Sequence, residues 1–495
     1  MKFEFIWDLV LCALNFVNAN WKKLLWGIVF ASFLLSLTHS FYFQIEPSVD
    51  AGAYDRIAVN ILNGHGYRQN FDLPFEKDNS IGRVGPGYEF FLVGVYFIFG
   101  HHYEVVWFLQ AIFHALSVLL VFLIMRKVGP SAEGPTLNVR AAALIAAVIF
   151  GFYPDLIIGS SMLLAETLAI FLMLLSIFIF FRILDKSGIK LAALLGFVFA
   201  ASVLVRTPLL LIFLPFIYFF YKKKLFISLA IFTAVILAVM TPWTIRNFKV
   251  YGAFIPTSLT FGDDLLSGNH PGSSGELDDS RIQFTAKYND YDMVTGDRLA
   301  AKEAIIFILF NPLEFIKITF FRISMYFSFA RPTGWWPYLF GSPWQAVVLS
   351  LSSLWSVIIF TFGFYGIVEA IWSSKKGMPS TGSGNKLFPE RSEAKSKDLP
   401  YTFFTTNKMW LLAFLAAVVL PVVFIVVETR YRYPSYAFFA IFAGVGIMEA
   451  IKFIKNGQYK NLKILFLVFI ILFGNTIFDV VRNFDRIFEK ISGLI

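Results

Sequence analysis

Cysteine is almost absent from this chain of 495 residues, which contains a single one, Cys12. One cysteine cannot form a disulfide within the chain, and it provides no cysteine metal site. Charged residues are also scarce, at 15% of the sequence. A Walker motif and a glycine-rich dinucleotide fingerprint are both missing. The sequence therefore excludes a disulfide framework and gives no sign of a nucleotide-binding domain.

A cleavable signal peptide is not evident either. Residues 1–20 lack a basic region followed by a small-residue cleavage site, so we expect an interfacial helix there, ahead of the first membrane span. The formal net charge is +9. The basic residues cluster at the ends of apolar segments, as orientation signals do, so this charge does not indicate nucleic-acid binding.

Apolar residues, in contrast, are abundant. They make up 57% of the sequence, and the mean hydropathy is +0.68. Soluble proteins contain about 45–50% apolar residues. Apolar runs of roughly 18 residues or more recur along almost the whole length, so the sequence predicts an all-α polytopic membrane protein. The 60 phenylalanines are interpreted as lipid-facing bulk.

The positions of lysine and arginine predict the topology. Lys22 and Lys23 precede the first span, which places the N-terminus in the cytoplasm and residues 44–86 outside. Segment 86–100 is short for a crossing, so we interpret it as an interfacial or re-entrant helix. The remaining apolar segments alternate with basic cytoplasmic turns, and about eleven spans result. They are 25–43, 104–125, 140–154, 162–181, 190–205, 208–221, 225–243, 343–372, 409–427, 434–451 and 463–480.

The chain divides into three predicted regions. Residues 1–243 form a transmembrane core with a first extracytoplasmic loop at 44–103. Residues 244–342 form a large extracytoplasmic loop with interfacial helices. Residues 343–495 contain the C-terminal spans and a cytoplasmic linker, 373–407, which is rich in Lys, Ser, Gly and Pro. No strong internal repeat is seen, which weakens a symmetric-transporter interpretation.

The charged residues that are most out of place in a membrane protein all meet the extracytoplasmic face in this topology. Charges at membrane depth are costly and usually functional. Arginines can hold a lipid phosphate by charge-assisted hydrogen bonds, and a carboxylate can take a proton from an incoming hydroxyl or amine. The residues are Asp50, Asp55, Arg83, Glu166, Arg206, Arg246, Arg430 and Arg432.

The acids each have a structural alternative. Asp50 begins a segment that looks helical and shares a face with Tyr54, so it is either a helix N-cap or a catalytic group. Glu166 either pairs with an arginine for structure or orients a substrate. Asp55 is interpreted as an exposed surface charge.

The arginines have structural alternatives as well. Arg83 precedes a Pro-Gly turn, which either is only a turn or presents Arg83 to a phosphate. Arg206 either snorkels to the interface or binds an anion. The "ETRYRYP" segment, with Arg430 and Arg432, either anchors the chain at the interface or forms part of a site. Arg246 follows the interfacial Trp243.

Two adjacent histidines, His101 and His102, have no partner at metal-ligand spacing and are interpreted as interfacial. The sequence therefore indicates no cofactor, and it leaves open a dependence on a divalent metal. Because no cytoplasmic region is large enough to bind a nucleotide sugar, a lipid-borne donor fits the sequence better than a soluble one.

The order of several motifs resembles bacterial membrane glycosyltransferases of the GT-C superfamily. The branch looks like the dolichyl-phosphate-mannose–protein mannosyltransferase family (glycosyltransferase family 39), which includes the lipid A aminoarabinose transferases. The resemblance covers about residues 25–275 well and the remainder loosely, and "PWTIRN" followed by the "GNHPG" loop is its most specific part. The motifs are "VDAGAYDRIAVNILNGHGY", "GRVGPGYEFFL", "YPDLIIGSSMLLAET", "LVRTPLLL", "PWTIRNFKVYGAFIPTS" with "GNHPGSSG", and "ETRYRYP".

The resemblance implies roles for individual residues. Asp50 matches the acidic catalytic residue of the first extracytoplasmic loop, Arg83 matches a phosphate-binding basic residue, and Glu166 matches a second acid. Many superfamily members have adjacent acids at the first site, whereas here Ala51 follows Asp50, which disfavours a mechanism with paired carboxylates. The implied donor-phosphate residues are Arg83, Arg206, Arg246, Arg430 and Arg432, and the implied substrate-orienting residues are Tyr54, Tyr88 and Glu166.

The implied activity is that of an inverting glycosyltransferase in the cytoplasmic (inner) membrane. It would move a sugar from a polyprenyl-phosphate-linked donor to a protein, lipid or envelope-glycan acceptor on the extracytoplasmic face. Its expected partners are that donor, the acceptor and membrane lipids. Two alternatives from other classes are a lipid-phosphate transporter or flippase and a non-catalytic subunit of an envelope-assembly complex.

Overall fold

The computed structural model is built almost entirely of helices. In the described part of the chain no strand occurs, and one isolated bridge joins Glu276 and Val427. The prediction of an all-α polytopic membrane fold is confirmed. The structure describes residues 2–75, 77–81, 85–128, 136–277, 281–330, 344–376 and 407–485.

Eighteen α-helices are described in these ranges, and short 3-10 turns connect several of them. The helices are α1 Lys2–Phe43, α2 Asp50–Leu62, α3 Gly87–Phe99, α4 Tyr103–Val128, α5 Thr136–Gly151, α6 Pro154–Ser160, α7 Ala165–Asp185, α8 Ile189–Val205, α9 Phe213–Lys222, α10 Phe226–Tyr251, α11 Phe261–Gly268, α12 Ile282–Thr285, α13 Met293–Phe310, α14 Pro312–Tyr326, α15 Trp344–Lys376, α16 Lys408–Phe424, α17 Tyr433–Lys455 and α18 Lys463–Arg482.

Each of the eleven predicted spans overlaps a described helix, but the helices differ in length, and the span 140–154 crosses the break between α5 and α6. By length and composition, seven described helices can cross a membrane, or up to nine if each bent pair counts as one span. The bent pairs are α5 with α6, at 56°, and α13 with α14, at 106°. The predicted spans on α8, α9 and α16 are apolar but shorter than a full crossing.

The beginning of the chain differs from the prediction. Residues 1–20 were expected to form an interfacial helix separate from the first span, whereas α1 runs without a break from Lys2 to Phe43. Residues 2–26 contain no proline or glycine, so nothing in the sequence interrupts the helix. The part of α1 that qualifies as a span is Ala19–Phe43.

Helix α17 lies at the centre of the bundle, and small residues let α15 approach it. A Cβ atom added at Gly366 would lie 2.0 Å from the carbonyl oxygen of Phe442, and one added at Gly446 would lie 2.4 Å from that of Phe362. The two backbones therefore touch at these positions, as in membrane helix pairs that pack through small residues. This close packing fixes the middle of α17 against α15.

Many phenylalanine side chains are buried inside the bundle, whereas the sequence was interpreted to place them against the lipid. The Phe180 ring of α7 lies in an aromatic cluster that joins α7, α9 and α16. Its ring centroid is 5.0–5.4 Å from the four neighbouring rings, which are those of Phe216, Phe219, Trp410 and Phe414. Aromatic rings at such distances stabilise a core beyond their buried area.

The "GNHPG" loop is fixed by a buried arginine of α14. The Arg322 side chain donates hydrogen bonds to the carbonyl oxygen of Phe424 at 2.9 Å, to the carbonyl oxygen of Gly268, and to Oδ1 of Asn269 at 2.8 Å. One guanidinium thus joins the loop to the end of α16. Gly268 is required there, because an added Cβ would lie 1.9 Å from the carbonyl oxygen of Ile425.

Two helices extend past boundaries that were predicted from the sequence. Helix α10 continues to Tyr251, so "PWTIRN" lies within the helix, with Pro242 inside it, and not beyond the end of a span at 243. Helix α15 extends to Lys376, into the predicted linker 373–407. Residues 377–406 of that linker lie outside the described residues.

Candidate active site

Asp50 is the first residue of α2, and its carboxylate forms an ion pair. Nη2 of Arg430 donates a hydrogen bond to Oδ2 of Asp50 at 2.6 Å. The N-cap position belongs to Val49, and no side chain caps the helix there. The capping alternative for Asp50 is therefore wrong, and the side chain points to another part of the bundle.

The residue before Asp50 has an unusual backbone conformation. Val49 has φ 50°. A β-branched residue rarely adopts a positive φ, so the turn that leads into α2 is strained. Such strain persists only where the surrounding structure imposes it, and it is common at functional sites.

Arg430 is surrounded by three carboxylates. It lies on the 3-10 turn Thr429–Arg432, just before α17. Besides its bond to Asp50, its Nε atom is 3.0 Å from Oε2 of Glu428 and 3.8 Å from Oε1 of Glu166. The sequence predicted that Asp50, Glu166 and Arg430 lie at the same membrane face. In the structure the carboxylates of Asp50 and Glu166 both lie against the guanidinium of Arg430.

Glu166 and Arg206 form the most deeply buried pair of the site. Nη1 of Arg206 donates to Oε1 of Glu166 at 2.7 Å, and the two side chains are 6% and 2% exposed. Glu166 lies in the first turn of α7, and Arg206 directly follows α8. Arg206 therefore does not snorkel to the interface. Its guanidinium also lies 5.2 Å from the ring centroid of Tyr431.

We refer to Asp50, Glu166, Arg206, Glu428 and Arg430 as the ion cluster. It contains three carboxylates and two guanidiniums, so its formal net charge is −1 when all five are ionised. Both arginines are already engaged with carboxylates. The cluster thus combines a potential proton acceptor with two potential phosphate ligands, but these groups neutralise one another in this arrangement.

Two buried tyrosines lie beneath Asp50. The ring of Tyr54 meets that of Tyr88 edge to face, with 5.5 Å between the centroids, and the Tyr88 hydroxyl donates to Oε1 of Gln110 at 3.0 Å. The Gln110 amide donates in turn to the carbonyl oxygens of Ser160 and Met162, just before α7. Burial raises the pKa of Tyr54 well above its ordinary value, so the phenol stays protonated. These contacts fix α2 relative to α7.

Arg246 lies in an aromatic cage apart from these contacts. Its Nη2 atom donates to the carbonyl oxygen of Tyr67 at 3.0 Å, and its Nη1 atom donates to Oδ1 of Asn247 at 3.0 Å. Its guanidinium is 5.1–5.9 Å from four ring centroids. The rings are those of Tyr67, Phe75, Trp243 and Tyr251. These contacts connect the first loop to the end of α10, and they do not include a member of the ion cluster.

Arg432 points in a different direction from Arg430, although only Tyr431 separates them. It is fully buried and donates to the carbonyl oxygens of Ser328 at 2.9 Å and Tyr326 at 3.4 Å. These bonds join α17 to the end of α14. The structure thus separates the two arginines of "ETRYRYP" into one at the ion cluster and one in the bundle. Arg83, the other predicted phosphate ligand, lies outside the described residues.

Asp55 is not the exposed surface charge that the sequence suggested. Its side chain is 15% exposed, and it accepts hydrogen bonds from Tyr96 at 2.7 Å, from His101 at 2.9 Å and from Tyr103 at 3.1 Å. It thus joins α2 to the end of α3 and the start of α4. Nothing in the sequence pairs Asp55 with these residues, because they lie more than forty positions away.

Two further acids near the site were not predicted from the sequence. Glu428 is the first residue of "ETRYRYP", two residues before Arg430. This proximity in the sequence was the signal that could have identified it as part of the site. Glu89 follows Tyr88 in α3, and its side chain is fully buried. Burial raises the pKa of Glu89 to about 8, and the neighbouring Tyr67 hydroxyl offsets only part of that shift. Glu89 is therefore mostly protonated at neutral pH.

The described residues contain no group of three or more His, Cys, Asp or Glu side chains arranged to hold a metal ion.

Comparisons with known proteins find matches among solved structures. No family model and no curated protein matches the chain. The oligosaccharyltransferase AglB from Archaeoglobus fulgidus, in complex with an inhibitory peptide and a dolichol-phosphate, is 14% identical, with a TM-score of 0.47. The match covers 93% of this chain and 55% of AglB, so the chain spans about half the length of that protein.

Two other structures match as well. The apo form of the Archaeoglobus fulgidus oligosaccharyltransferase is 13% identical over 92% of this chain and 55% of that chain, with a TM-score of 0.46. ArnT from Cupriavidus metallidurans, bound to undecaprenyl phosphate, is 11% identical over 87% of this chain and 78% of its own, with a TM-score of 0.38.

Proposed function

We propose that this multi-pass membrane protein is an inverting glycosyltransferase that moves a sugar from a polyprenyl-phosphate-linked donor to an acceptor on the extracytoplasmic face. The observation that carries the proposal is the ion cluster. It places the carboxylate of Asp50, which is 17% exposed, against Arg430, and the second arginine, Arg206, lies in the same cluster on Glu166. The head group of a lipid-borne donor reaches this level of a membrane protein, whereas its chain stays among the apolar helices.

Asp50 is the proposed general base. It takes the proton of the acceptor hydroxyl or amine while that oxygen or nitrogen attacks the anomeric carbon of the sugar. A bond forms between the acceptor atom and the anomeric carbon. The bond from that carbon to the phosphate oxygen breaks, and its electron pair leaves with the phosphate. Attack from the face opposite the phosphate inverts the anomeric configuration.

Arg430 is the proposed ligand of the departing phosphate. Its guanidinium can donate several hydrogen bonds in one plane, which matches the oxygens of a phosphate. Charge that is in place before the reaction often provides the largest catalytic contribution. Arg206 holds Glu166, which in turn lies beside Arg430, so this buried pair supports the phosphate ligand. Arg83 remains a predicted further phosphate ligand.

The proposed orientation follows the distribution of basic residues, with the N-terminus in the cytoplasm and the ion cluster outside. The acceptor is a protein, a lipid or an envelope glycan. Mass spectrometry of glycolipids, glycans and glycoproteins from the envelope of a deletion strain, compared with its parent, identifies the missing sugar and the acceptor that carries it.

The direct test is transfer by the purified protein in lipid nanodiscs. Polyprenyl-phosphate-linked sugars are supplied with envelope extract as acceptor, and the released polyprenyl phosphate is measured by mass spectrometry. Asp50→Asn should lower turnover by about 10²–10⁴-fold, the usual contribution of a general base. The matched control is Asp72→Asn, which changes an exposed acid of the same loop.

Near-normal turnover of a folded Asp50→Asn protein would remove Asp50 from the role of base. A transporter would instead release no polyprenyl phosphate with any sugar, and in sealed proteoliposomes it would move the intact sugar lipid from one leaflet to the other. A non-catalytic subunit would neither consume nor move the lipid. These outcomes separate the two alternative functions from the proposed one.

A further inference from the structure

The candidate base and the candidate phosphate ligand are bonded to each other. Nη2 of Arg430 is 2.6 Å from Oδ2 of Asp50, a short charge-assisted hydrogen bond. A carboxylate in such a bond is held in its ionised form and accepts a proton poorly. Equally, a guanidinium edge that faces a carboxylate is not open to a phosphate. The proposed reaction requires this bond to open.

The three carboxylates around Arg430 differ in how easily they can be released. Glu166 is 2% exposed and also holds Arg206, so its separation would leave a buried charge unpaired. Asp50 is 17% exposed and lies on α2, a separate part of the chain, so its charge is less deeply buried than that of Glu166 when the bond to Arg430 opens. Release of Asp50 therefore costs less than release of Glu166.

Glu428 is the most exposed of the three, at 30%, but its position in the chain keeps it near Arg430. It lies two residues before Arg430, at the start of the same 3-10 turn, and its Oε2 atom accepts from Nε at 3.0 Å. Movement of the turn carries both residues together. Glu428 can thus hold one side of the guanidinium while the other side changes partner.

We propose that Arg430 exchanges partners during the reaction: the donor phosphate replaces Asp50 at Nη2, while Glu428 keeps its bond to Nε. Donor binding thereby removes Arg430 from Asp50, so the base loses this ion pair only after the donor has arrived. Glu428 acts as a positioning residue, since it holds Arg430 and does not touch the reacting atoms. The inference rests on the proposed function.

The turn before Asp50 is suited to such an exchange. Val49 has φ 50° and its side chain is exposed, so the segment that leads into α2 is strained and lies at the surface. Opening of the Asp50–Arg430 bond lets this turn relax. Tyr54, one turn further along α2, remains packed against Tyr88, so the movement is confined to the first turn of the helix.

The test measures binding of a sugar-free polyprenyl phosphate, which needs no turnover. Dissociation constants are determined for the full-length wild-type protein, Asp50→Asn and Glu428→Gln in nanodiscs of neutral lipid. Glu303→Gln is the matched control, because Glu303 has the same exposure as Glu428, 30%, and pairs with Lys287 away from the ion cluster. Thermal unfolding of each variant confirms that it is folded.

Exchange predicts that the two substitutions differ in their effect on the affinity for polyprenyl phosphate. Asp50→Asn should bind the lipid phosphate about tenfold more tightly, because a competing ion pair is removed. Glu428→Gln removes the same charge but should bind no more tightly than wild type, because Arg430 loses the bond that orients it. Glu303→Gln should match the wild type.

An Asp50→Asn protein that binds no more tightly than the wild type would overturn the exchange. So would a Glu428→Gln protein that gains as much affinity as Asp50→Asn, because repulsion between negative charges would then explain both. The proposed function is judged separately, by turnover. If no sugar is transferred but the binding results hold, the transferase proposal fails and the exchange of Arg430 from Asp50 to a phosphate stands.

Discussion

Asp50 and Arg430 are 380 positions apart in the sequence, and Nη2 of Arg430 donates a hydrogen bond to Oδ2 of Asp50 at 2.6 Å. The bond joins the first residue of α2 to the turn that precedes α17. Glu166, at the start of α7, lies beside the same guanidinium. The candidate site is thus assembled from three distant parts of the chain, and the helix bundle brings their ends together.

The buried pair of Glu166 and Arg206 should be important for stability. Glu166→Gln or Arg206→Gln alone should destabilise the protein by about 3–5 kcal/mol, because the remaining charge stays buried without its partner. A double replacement with apolar residues of similar size, Glu166→Met with Arg206→Met, should cost less than the sum of the single changes. Thermal unfolding in one detergent measures all three variants.

The control for this pair is Glu303→Gln, which removes one partner of an ion pair that is partly exposed. Its cost should be about 1 kcal/mol or less. Additive single changes in Glu166 and Arg206 would show that the two side chains do not stabilise each other.

Glu89 should make stability depend on pH. Its pKa is raised by burial from an ordinary value of 4.5 to about 8 in the folded protein. The folded state therefore holds a proton that the unfolded chain has lost, so stability falls as the pH rises from about 4.5 to about 8. Glu89→Gln mimics the protonated carboxyl and removes this dependence.

Melting temperatures of the wild type and Glu89→Gln should converge near pH 4.5 and separate at pH 8, with the variant higher by roughly 2–4 °C. Asp72→Asn, an exposed acid of the same loop, is the control and should show no such separation. A constant difference between wild type and Glu89→Gln at every pH would contradict the raised pKa.

Asp55 should hold the first loop together. Asp55→Ala leaves the hydroxyls of Tyr96 and Tyr103 without their acceptor, and each unpaired group costs about 1–3 kcal/mol where it is buried. Hydrogen exchange should become faster in residues 87–103, which include α3 and the start of α4. Tyr103→Phe removes only one of the bonds and should have a smaller effect on exchange. Unchanged exchange in Asp55→Ala would show that these bonds do not restrain the loop.

Arg322 should control the order of the "GNHPG" loop. Arg322→Lys keeps the charge, but an ammonium cannot reach the carbonyl oxygen of Phe424 and the Asn269 side chain at the same time. Limited proteolysis should then cut the loop at least several-fold faster than in the wild type, as expected for a segment with lowered local stability. Lys317→Met, an exposed change on the same helix, is the control. Equal cleavage of Arg322→Lys and wild type would contradict the role of this clamp.

Several features could be predicted from the sequence because they depend on local patterns. Apolar runs predict helices, and every predicted span overlaps one. Glu166 was expected in the first turns of a span, and α7 begins one residue before it. The "ETRYRYP" motif pointed to Arg430, which lies in the ion cluster.

Other features could not be predicted, since they depend on contacts between distant segments. The partners of Asp55 lie on α3 and α4, and sequence spacing gives no hint of them. Arg246 and Arg432 look like Arg430 in sequence, yet one lies in an aromatic cage and the other bonds to backbone carbonyls. The difference arises from which side of each helix end faces the bundle.

The amino-acid sequence alone determined that this chain is a helical membrane protein with charged residues gathered at helix ends, because hydrophobic run length and charge position are local properties. Only the tertiary structure decided which charges meet. Asp50 and Glu428 pair with Arg430, Glu166 pairs with Arg206, and Nε of Arg430 lies 3.8 Å from Oε1 of Glu166. The cost of burying an unpaired charge selects helix packings in which opposite charges come together.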